Sequence, residues 1–135
     1  VRKPGCVYID DYAHHPKAIT AALSSIRRTY PHAKLTAVFQ PHLYTRTRDF
    51  APEFAEALSI ADKVILLDIY PARELPIPGV TSEIIFKENN AEKILLDREK
   101  LMEYLAGEKV EVLVTLGAGD IDRFVGDIAR MLEER

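Results

Sequence analysis

Ionisable side chains that could do chemistry are concentrated in two short segments of this sequence. The first, Asp10 to Pro16 (DDYAHHP), holds two carboxylates, a phenol and two adjacent imidazoles. The second, Gln40 to Arg48 (QPHLYTRTR), holds a third imidazole and two guanidinium groups. Imidazoles exchange protons near neutral pH, and guanidinium groups grip carboxylates bidentately. Both segments are therefore candidates for a binding site.

Two further segments are notable because each follows an apolar run. Asp68 precedes a loop with three prolines, Ile69 to Gly79, and the tetrapeptide Gly117-Ala118-Gly119-Asp120 follows the last apolar run. Parallel α/β sheets bind ligands at the carboxyl ends of their strands. All four segments fall at that predicted edge, and their convergence favours a site over four unrelated loops.

The elements that must position these segments are predicted from the alternation of apolar runs with amphipathic stretches, which is typical of βαβ units. Strands are expected at Cys6 to Asp10, Lys34 to Phe39, Lys63 to Asp68, Lys93 to Leu96 and Val110 to Leu116. Helices are expected from Pro16 to about Arg28, from Phe50 to Ala61, from Thr81 or Ser82 to about Lys87, from Asp97 to Ala106 and from Asp120 to Glu133. The prediction is a single α/β domain over residues 1–135 with a three-layer, Rossmann-like, doubly wound and mainly parallel sheet.

Each segment also has an ordinary structural explanation. Asp10 could have no role beyond capping the following helix, and the adjacent histidines could have no role beyond hydrogen-bonding a loop. Arg46 and Arg48 could be solvated surface charges. The segment Gly117 to Gly119 lacks the full G-x-G-x-x-G pattern, and glycine after a strand is expected from packing alone. The joint placement of the four segments is what favours function.

A zinc site is the sharpest rival at this edge, because imidazole and carboxylate are good zinc ligands. Its ligands would be Asp11, His14, His15 and His42. Two observations disfavour it: adjacent histidine rings diverge in a regular segment, and no cysteine or H-x-x-x-H pair supports them. We therefore predict no metal ligands in this chain.

Composition restricts the class of protein. The net charge is −3 and the basic residues are scattered among acidic ones, so nucleic acid is not an expected partner. A single cysteine, Cys6, fits a reducing compartment. No apolar run approaches the ~20 residues of a membrane span, so we expect a cytoplasmic protein without a membrane partner. The segment Val1 to Gly5 (VRKPG) is predicted to be a linker, as in a piece excised from a longer protein.

The segment Asp10 to Pro16 resembles the motif that opens the last domain of the Mur ligases. The resemblance extends to Phe39 to Phe50 (FQPHLYTRTRDF), Asp68 to Glu83 (DIYPARELPIPGVTSE) and Leu116 to Asp122 (LGAGDID), and these segments are most similar to the branch that adds L-alanine. It implies the C-terminal domain of a three-domain, ATP-dependent ligase of peptidoglycan synthesis, which joins L-alanine to UDP-N-acetylmuramate. ATP and Mg²⁺ would be bound mainly by the absent central domain, since this chain has no G-x-x-x-x-G-K-[ST] segment. The isolated domain is therefore expected to be inactive.

The resemblance also implies roles for individual residues. Arg46 would grip the alanine carboxylate, Tyr12 and His42 would shape the amino-acid pocket, and His14 would lie near the amine or the nucleotide. Asp11 and His15 would face the nucleotide, with Asp11 toward the ribose or a magnesium-bound water. Backbone N–H groups of Gly117, Ala118, Gly119 and Asp120, with a helix N-terminus, would face an anionic group.

Some members of the family that this chain resembles carry a second arginine where this sequence has Leu43. A two-arginine clamp on the alanine carboxylate is therefore not expected, and Arg48 or a backbone N–H is the candidate for the second contact. A related murein-peptide recycling ligase is an alternative within the family. A receiver-like module is an alternative outside it. Asp10, Asp11 and Asp68 fit a receiver in part, but the last strand ends in Leu116-Gly117 where a receiver needs lysine.

Overall fold

A computed structural model of the chain describes residues 2–86 and 92–135. Within these ranges six strands form one sheet in the order β1-β2-β6-β3-β4-β5. Their bounds are Arg2–Lys3 (β1), Cys6–Asp11 (β2), Leu35–Phe39 (β3), Lys63–Leu67 (β4), Glu92–Leu96 (β5) and Val112–Leu116 (β6). The five strands β2 to β6 run parallel, and only β1 is antiparallel to its neighbour.

The three central strands β3, β4 and β6 are buried at every position, which explains why they are continuous apolar runs in the sequence. Two clusters of buried side chains lie on the two faces of the sheet. One includes Leu23 and Phe54, and the other includes Leu105 and Ile128. Helices cover both faces, so the predicted three-layer α/β fold with a mainly parallel sheet is confirmed.

The helices are Pro16–Thr29 (α1), Tyr44–Leu58 (α2), Glu83–Phe86 (α3), Leu101–Ala106 (α4) and Val125–Glu133 (α5). Two 3₁₀ turns, Arg98–Lys100 and Asp120–Phe124, precede α4 and α5. The prediction that helices begin at Asp97 and Asp120 is therefore corrected, because both begin as tighter turns. Asp97 makes no side-chain cap hydrogen bond. Thr81 caps α3 as predicted, since its Oγ1 accepts the Glu83 N–H at 3.2 Å. The predicted end of that helix at Lys87 lies outside the described residues.

The prediction of a linker over Val1 to Gly5 is wrong for Arg2 and Lys3, which form a short strand beside β2. Val1 lies outside the described residues. Gly5 has φ +80° in the turn between the two strands, a conformation that favours glycine. The Lys3 ammonium donates to the carbonyl oxygens of Glu133 and Arg135, at 3.4 and 2.9 Å. The two ends of the described chain therefore meet beside the amino ends of the strands.

Helix α2 differs most from the prediction, because it begins at Tyr44 and not after Arg48. It is also kinked: Phe50 has φ −120° and ψ 17° in its middle, and Pro52 follows. Proline has no N–H to donate to the carbonyl of Arg48 one turn earlier. Phe50, expected on the buried face, is 42% exposed. Among the described helices, none combines the length and apolarity needed to cross a bilayer.

Candidate functional site

The segments after β3 and β4 continue the sheet beyond the ends of those strands. His42 and Tyr70 form an isolated parallel bridge. The Tyr70 N–H donates to the Pro41 carbonyl at 2.8 Å, and the Leu43 N–H donates to the Tyr70 carbonyl at 2.9 Å. These bonds hold the predicted loop after β3 against the proline-rich loop at the carboxyl edge of the sheet.

Three imidazoles and one guanidinium lie together at this edge. The His14 ring centroid is 5.1 Å from that of His15 and 6.0 Å from that of His42. The His42 ring also stacks on Tyr70, with centroids 5.7 Å apart. Arg46 lies one helical turn after His42, and its Nη1 is 3.3 Å from His42 Nδ1. The structure thus brings together side chains from two segments that are far apart in sequence.

The hydrogen bonds of this cluster fix which ring nitrogens carry protons. Arginine can only donate, so His42 Nδ1 must accept from Arg46, and the proton of neutral His42 lies on Nε2. A backbone carbonyl can only accept, so His14 Nδ1 donates to the Tyr12 carbonyl at 2.9 Å. In neutral His14 this leaves Nε2 as the proton-accepting nitrogen. The side chain is thereby suited to act as a base.

The environment also keeps two of the rings uncharged. Removal from water, followed by the charges of Arg46 and His14, lowers the pKa of His42 below its ordinary 6.5, against a smaller opposing effect of Glu74. The same causes in the same order lower the pKa of His15. The lowered pKa values favour the neutral form of both imidazoles near pH 7, and the positive charge of Arg46 lies beside His42.

The two arginines of the TRTR segment have different surroundings. Arg46 is half-buried against His42. Arg48 is exposed, and its Nε donates to Asp49 at 2.8 Å, an ion pair in which both side chains are about half exposed. Leu43, the residue directly before α2, has φ +71°, a strained conformation for a residue with a side chain.

The acidic residues after β2 are held by specific hydrogen bonds. Thr115 Oγ1 donates to Asp10 Oδ1 at 2.7 Å, so the Tyr8 hydroxyl must donate to Thr115 at 2.8 Å. Burial first of all raises the pKa of Tyr8 to about 12. Asp11 Oδ1 accepts the Ala13 N–H at 2.8 Å, which shapes the turn before the histidines. These contacts explain the fixed position of both carboxylates, and the role of Asp11 toward a nucleotide stays a prediction.

Tyr12 is an exposed residue of this turn, with 61% of its surface accessible. Its hydroxyl donates to Asp122 Oδ1 at 3.1 Å, and this hydrogen bond raises the pKa of Tyr12. Asp122 lies in the 3₁₀ turn after the glycine segment. Tyr12 therefore connects the turn after β2 to the segment after β6, with its ring open to solvent.

The glycine segment requires glycine because two other segments approach it closely. Gly117 has φ +135°, and a Cβ there would lie 2.8 Å from the Gln40 carbonyl oxygen. A Cβ on Gly119 would lie 2.6 Å from Gln40 Oε1 and 2.7 Å from Tyr70 Cβ. All three distances are shorter than the contacts that real Cβ atoms make. The segment after β6 therefore packs against the segments after β3 and β4, which completes the predicted convergence in space.

Gln40 is a residue of this edge that the sequence interpretation did not single out. Its side chain is fully buried, its Nε2 donates to Asp120 Oδ1, and its Oε1 accepts the Ile121 N–H at 2.8 Å. Arg98 Nη1 pairs with Asp120 Oδ2 at 2.6 Å. Asp120 and the Ile121 N–H thus already have partners. The segment also begins a 3₁₀ turn, so the expected α-helix N-terminus for an anion is absent from this position.

Glu74, in the proline-rich loop, was also missed. Its Oε1 accepts the Thr45 N–H at 3.1 Å and its Oε2 accepts the Thr45 hydroxyl at 2.6 Å. These hydrogen bonds, led by the one from the Thr45 hydroxyl, lower the pKa of Glu74. The sequence offered one signal for this contact, the lack of a capping side chain at Leu43, the residue before α2. That signal does not identify Glu74 as the residue that supplies the cap.

A cavity of about 490 Å³ lies on the other side of the proline-rich loop, at the ends of β4 and β5. Asp68 and Lys100 contribute to its lining, but none of the predicted substrate or nucleotide residues does. Within residues 2–86 and 92–135, no group of three His, Cys, Asp or Glu side chains is placed to hold a metal ion. The zinc set of Asp11 and the three histidines does not converge on one point.

Comparisons with known proteins establish the relationship. A family model described as Mur ligase, glutamate ligase domain, matches residues 1–120. The UDP-N-acetylmuramate--L-alanine ligase of Phocaeicola vulgatus is 50% identical over 137 positions, which cover 100% of this chain and 30% of that protein. The chain thus spans about 30% of the length of the curated relatives it matches.

Solved structures give the same result. The UDP-N-acetylmuramate-alanine ligase of Thermotoga maritima superposes with a TM-score of 0.67 at 26% identity, over 94% of this chain and 26% of that one. A murein peptide ligase of Psychrobacter arcticus superposes with a TM-score of 0.73 at 17% identity, over 95% and 28%. The latter likeness shows the fold alone. Since the family model covers most of the sequence, the chain belongs to the Mur ligase family, in which it corresponds to the glutamate ligase domain.

Proposed function

We propose that this chain is the C-terminal domain of an ATP-dependent ligase that adds L-alanine to UDP-N-acetylmuramate, and that it contributes the amino-acid pocket and part of the nucleotide site. The observation that carries the proposal is the 50% identity along the whole chain to an alanine-adding ligase. Membership of the Mur ligase family sets aside the receiver-like alternative. Such a ligase uses ATP and UDP-linked substrates, so we place it in the cytoplasm.

The chemistry explains why this cluster is suited to the task. Amide formation requires a neutral amine that is aimed at an activated carboxylate, while the carboxylate of the incoming amino acid is kept away from the reacting carbon. Arg46, which lies against His42, is the positive group that would grip that carboxylate bidentately. His14 Nε2 would accept a proton from the alanine ammonium.

ATP supplies the phosphoryl group that activates the muramoyl carboxylate, and Mg²⁺ neutralises its phosphates. On this chain Asp11 and His15 would face the nucleotide. Asp11 keeps one carboxylate oxygen for a ribose hydroxyl or a magnesium-bound water, since Oδ1 already accepts the Ala13 N–H. The magnesium ion would be held mainly by phosphates, water and another domain, since Mg²⁺ usually keeps several waters and binds through substrate phosphates.

Steady-state kinetics of the full-length ligase with Arg46→Ala tests the proposal. Losing a charge-assisted, partly desolvated contact typically costs ~2–5 kcal/mol, or roughly 30-fold to several-thousand-fold in kcat/KM for alanine. The KM values for ATP and the muramate nucleotide should change far less. Arg48→Ala is the matched control, because Arg48 is exposed and paired with Asp49. An unchanged alanine KM in Arg46→Ala would show that the amino-acid site lies elsewhere.

A second measurement distinguishes the proposed alanine-adding activity from that of a murein-peptide recycling ligase. The fold does not distinguish them, because a murein peptide ligase has the same fold. The full-length protein should form product with free L-alanine and should be slow with a preformed peptide as the amino donor. Faster ligation of the peptide would favour the recycling activity. The same protein without ATP should form neither product.

A further inference from the structure

We propose that Glu74 is a positioning residue for Arg46, which it orders by capping the N-terminus of α2 from the proline-rich loop. The inference deepens the proposed function and rests on it, because Arg46 is the group assigned to the alanine carboxylate. Glu74 itself need not touch the substrate.

The first turn of α2 lacks a cap of its own. The first N–H groups of any helix have no partner within the helix, and Ser, Thr, Asp or Asn at the N-cap normally satisfies one of them. Here the N-cap is Leu43, which makes no side-chain cap hydrogen bond and has φ +71°. Glu74 supplies the missing acceptor through two hydrogen bonds to Thr45, the residue directly before Arg46.

The kink makes this external cap more important. Residues 44–49 precede the non-helical Phe50, and Pro52 cannot donate to the Arg48 carbonyl. The buried second half of α2, around Phe54, therefore supports the first half less than in a continuous helix. The turn that carries Arg46 is held instead by Thr47, which bonds back to the Leu43 carbonyl, and by Glu74.

Glu74 is itself well fixed. Its N–H donates to the Pro71 carbonyl at 2.9 Å in a turn where Ala72 has φ +54°. Because the hydrogen bonds from Thr45 lower its pKa, the carboxylate stays charged at neutral pH, and a negative charge is favourable at a helix N-terminus. Tyr70 in the same loop stacks on His42. One loop therefore positions both the guanidinium and its imidazole neighbour.

The test is steady-state kinetics of the full-length ligase with each substrate varied in turn. Loss of a helix cap corresponds to about a 3- to 30-fold rise in the alanine KM for Glu74→Ala, with the ATP KM changed by less than about twofold. Glu74→Gln should restore most of the affinity, because its amide can still accept the Thr45 N–H. Thr45→Val, a milder change, should raise the alanine KM as well. Glu56→Ala, an exposed carboxylate beyond the kink, is the matched control.

The double variant distinguishes positioning from general stability. If Glu74 acts through Arg46, then Glu74→Ala should add nothing to the alanine KM in an Arg46→Ala background. An unchanged alanine KM in Glu74→Ala and Thr45→Val, an equal rise in the ATP KM, or a full additional effect in the double variant would each overturn the inference. A wild-type ligase that adds no alanine would instead overturn the proposed function, and this inference with it, before any variant is compared.

Discussion

The same substitution at two glycines should have opposite effects on stability. Gly119 has φ −96°, so alanine is compatible with its backbone, and the whole effect of Gly119→Ala is steric. The new Cβ would start 2.6 Å from Gln40 Oε1 and must move about 0.8 Å to reach the 3.4 Å of an ordinary contact. At Gly126, in α5, nothing lies within 4 Å of the added Cβ.

The magnitudes follow from these contacts. Overpacking costs about 1–3 kcal/mol, and disturbing the bond from the Ile121 N–H to Gln40 adds about 1 kcal/mol. Gly126→Ala should stabilise the helix by about 0.5–1 kcal/mol. For a domain of this size 1 kcal/mol corresponds to roughly 3–5 °C in Tm. The loss of about 2–4 kcal/mol therefore predicts a fall of roughly 6–20 °C for Gly119→Ala, and the smaller gain predicts a rise of roughly 1.5–5 °C for Gly126→Ala.

Thermal unfolding of the 135-residue chain followed by circular dichroism measures both effects. A Gly119→Ala variant that melts at the same temperature as the wild type would refute the close approach of the glycine segment to Gln40 and Tyr70. If Gly126→Ala were destabilised to the same degree, the loss would come from the glycine-to-alanine change as such and not from the steric contact.

Three further predictions concern charge and activity. In Arg46→Met, the pKa values of His42 and His15 should both rise in an NMR titration, because the charge of Arg46 lowers them. Unchanged pKa values would show that the charge of Arg46 does not act on either ring. Glu108→Gln should destabilise the chain by about 1–3 kcal/mol at pH 7, since the buried Lys63 ammonium loses its carboxylate partner at 2.7 Å and keeps only the neutral Tyr104 hydroxyl and an amide beside it. The hydrogen bonds from Lys63 and then Tyr104 lower the pKa of Glu108 in the folded chain. The stability that ionised Glu108 contributes is therefore complete above its ordinary pKa of 4.5 and is lost as pH falls through the lowered pKa of the folded state. Melting curves from pH 3 to 7 should show less loss of stability at acid pH in Glu108→Gln than in the wild type. The isolated chain should fold cooperatively but release no phosphate from ATP, and muramate-dependent release would contradict the assignment of the phosphate loop to another domain.

Much of the fold could be predicted because burial is written directly into the sequence. Strands β3, β4 and β6 are buried on both faces, so each is a continuous apolar run, and α1 shows its buried Ile19 and Leu23 at helical spacing. The short strand β1 was missed because its two residues pair through backbone atoms alone, which leaves no hydrophobic pattern.

The site was predictable only where residue type itself carried the signal. His14, His42 and Arg46 were singled out by their chemistry, and they lie together at the carboxyl edge. The predicted start of α2 was wrong because the helix is capped by Glu74, which lies 29 residues after Thr45 in the sequence. No rule based on neighbouring residues connects Glu74 with the start of this helix. Gln40 was missed for a similar reason: a buried glutamine is recognisable only by the partners that surround it.

The position of the chain ends has a practical consequence for experiments on this domain. Lys3 holds the C-terminal residues at the amino ends of the strands, whereas the candidate site lies at the carboxyl ends. The six residues of β2 separate the two edges by roughly 20 Å. A tag, fluorophore or surface anchor attached at either end would therefore hang from the face opposite the histidine cluster. Immobilised in this way, the domain would present its site to the solution. A short linker could also join the two ends in a circular permutant, and this join would lie away from the site.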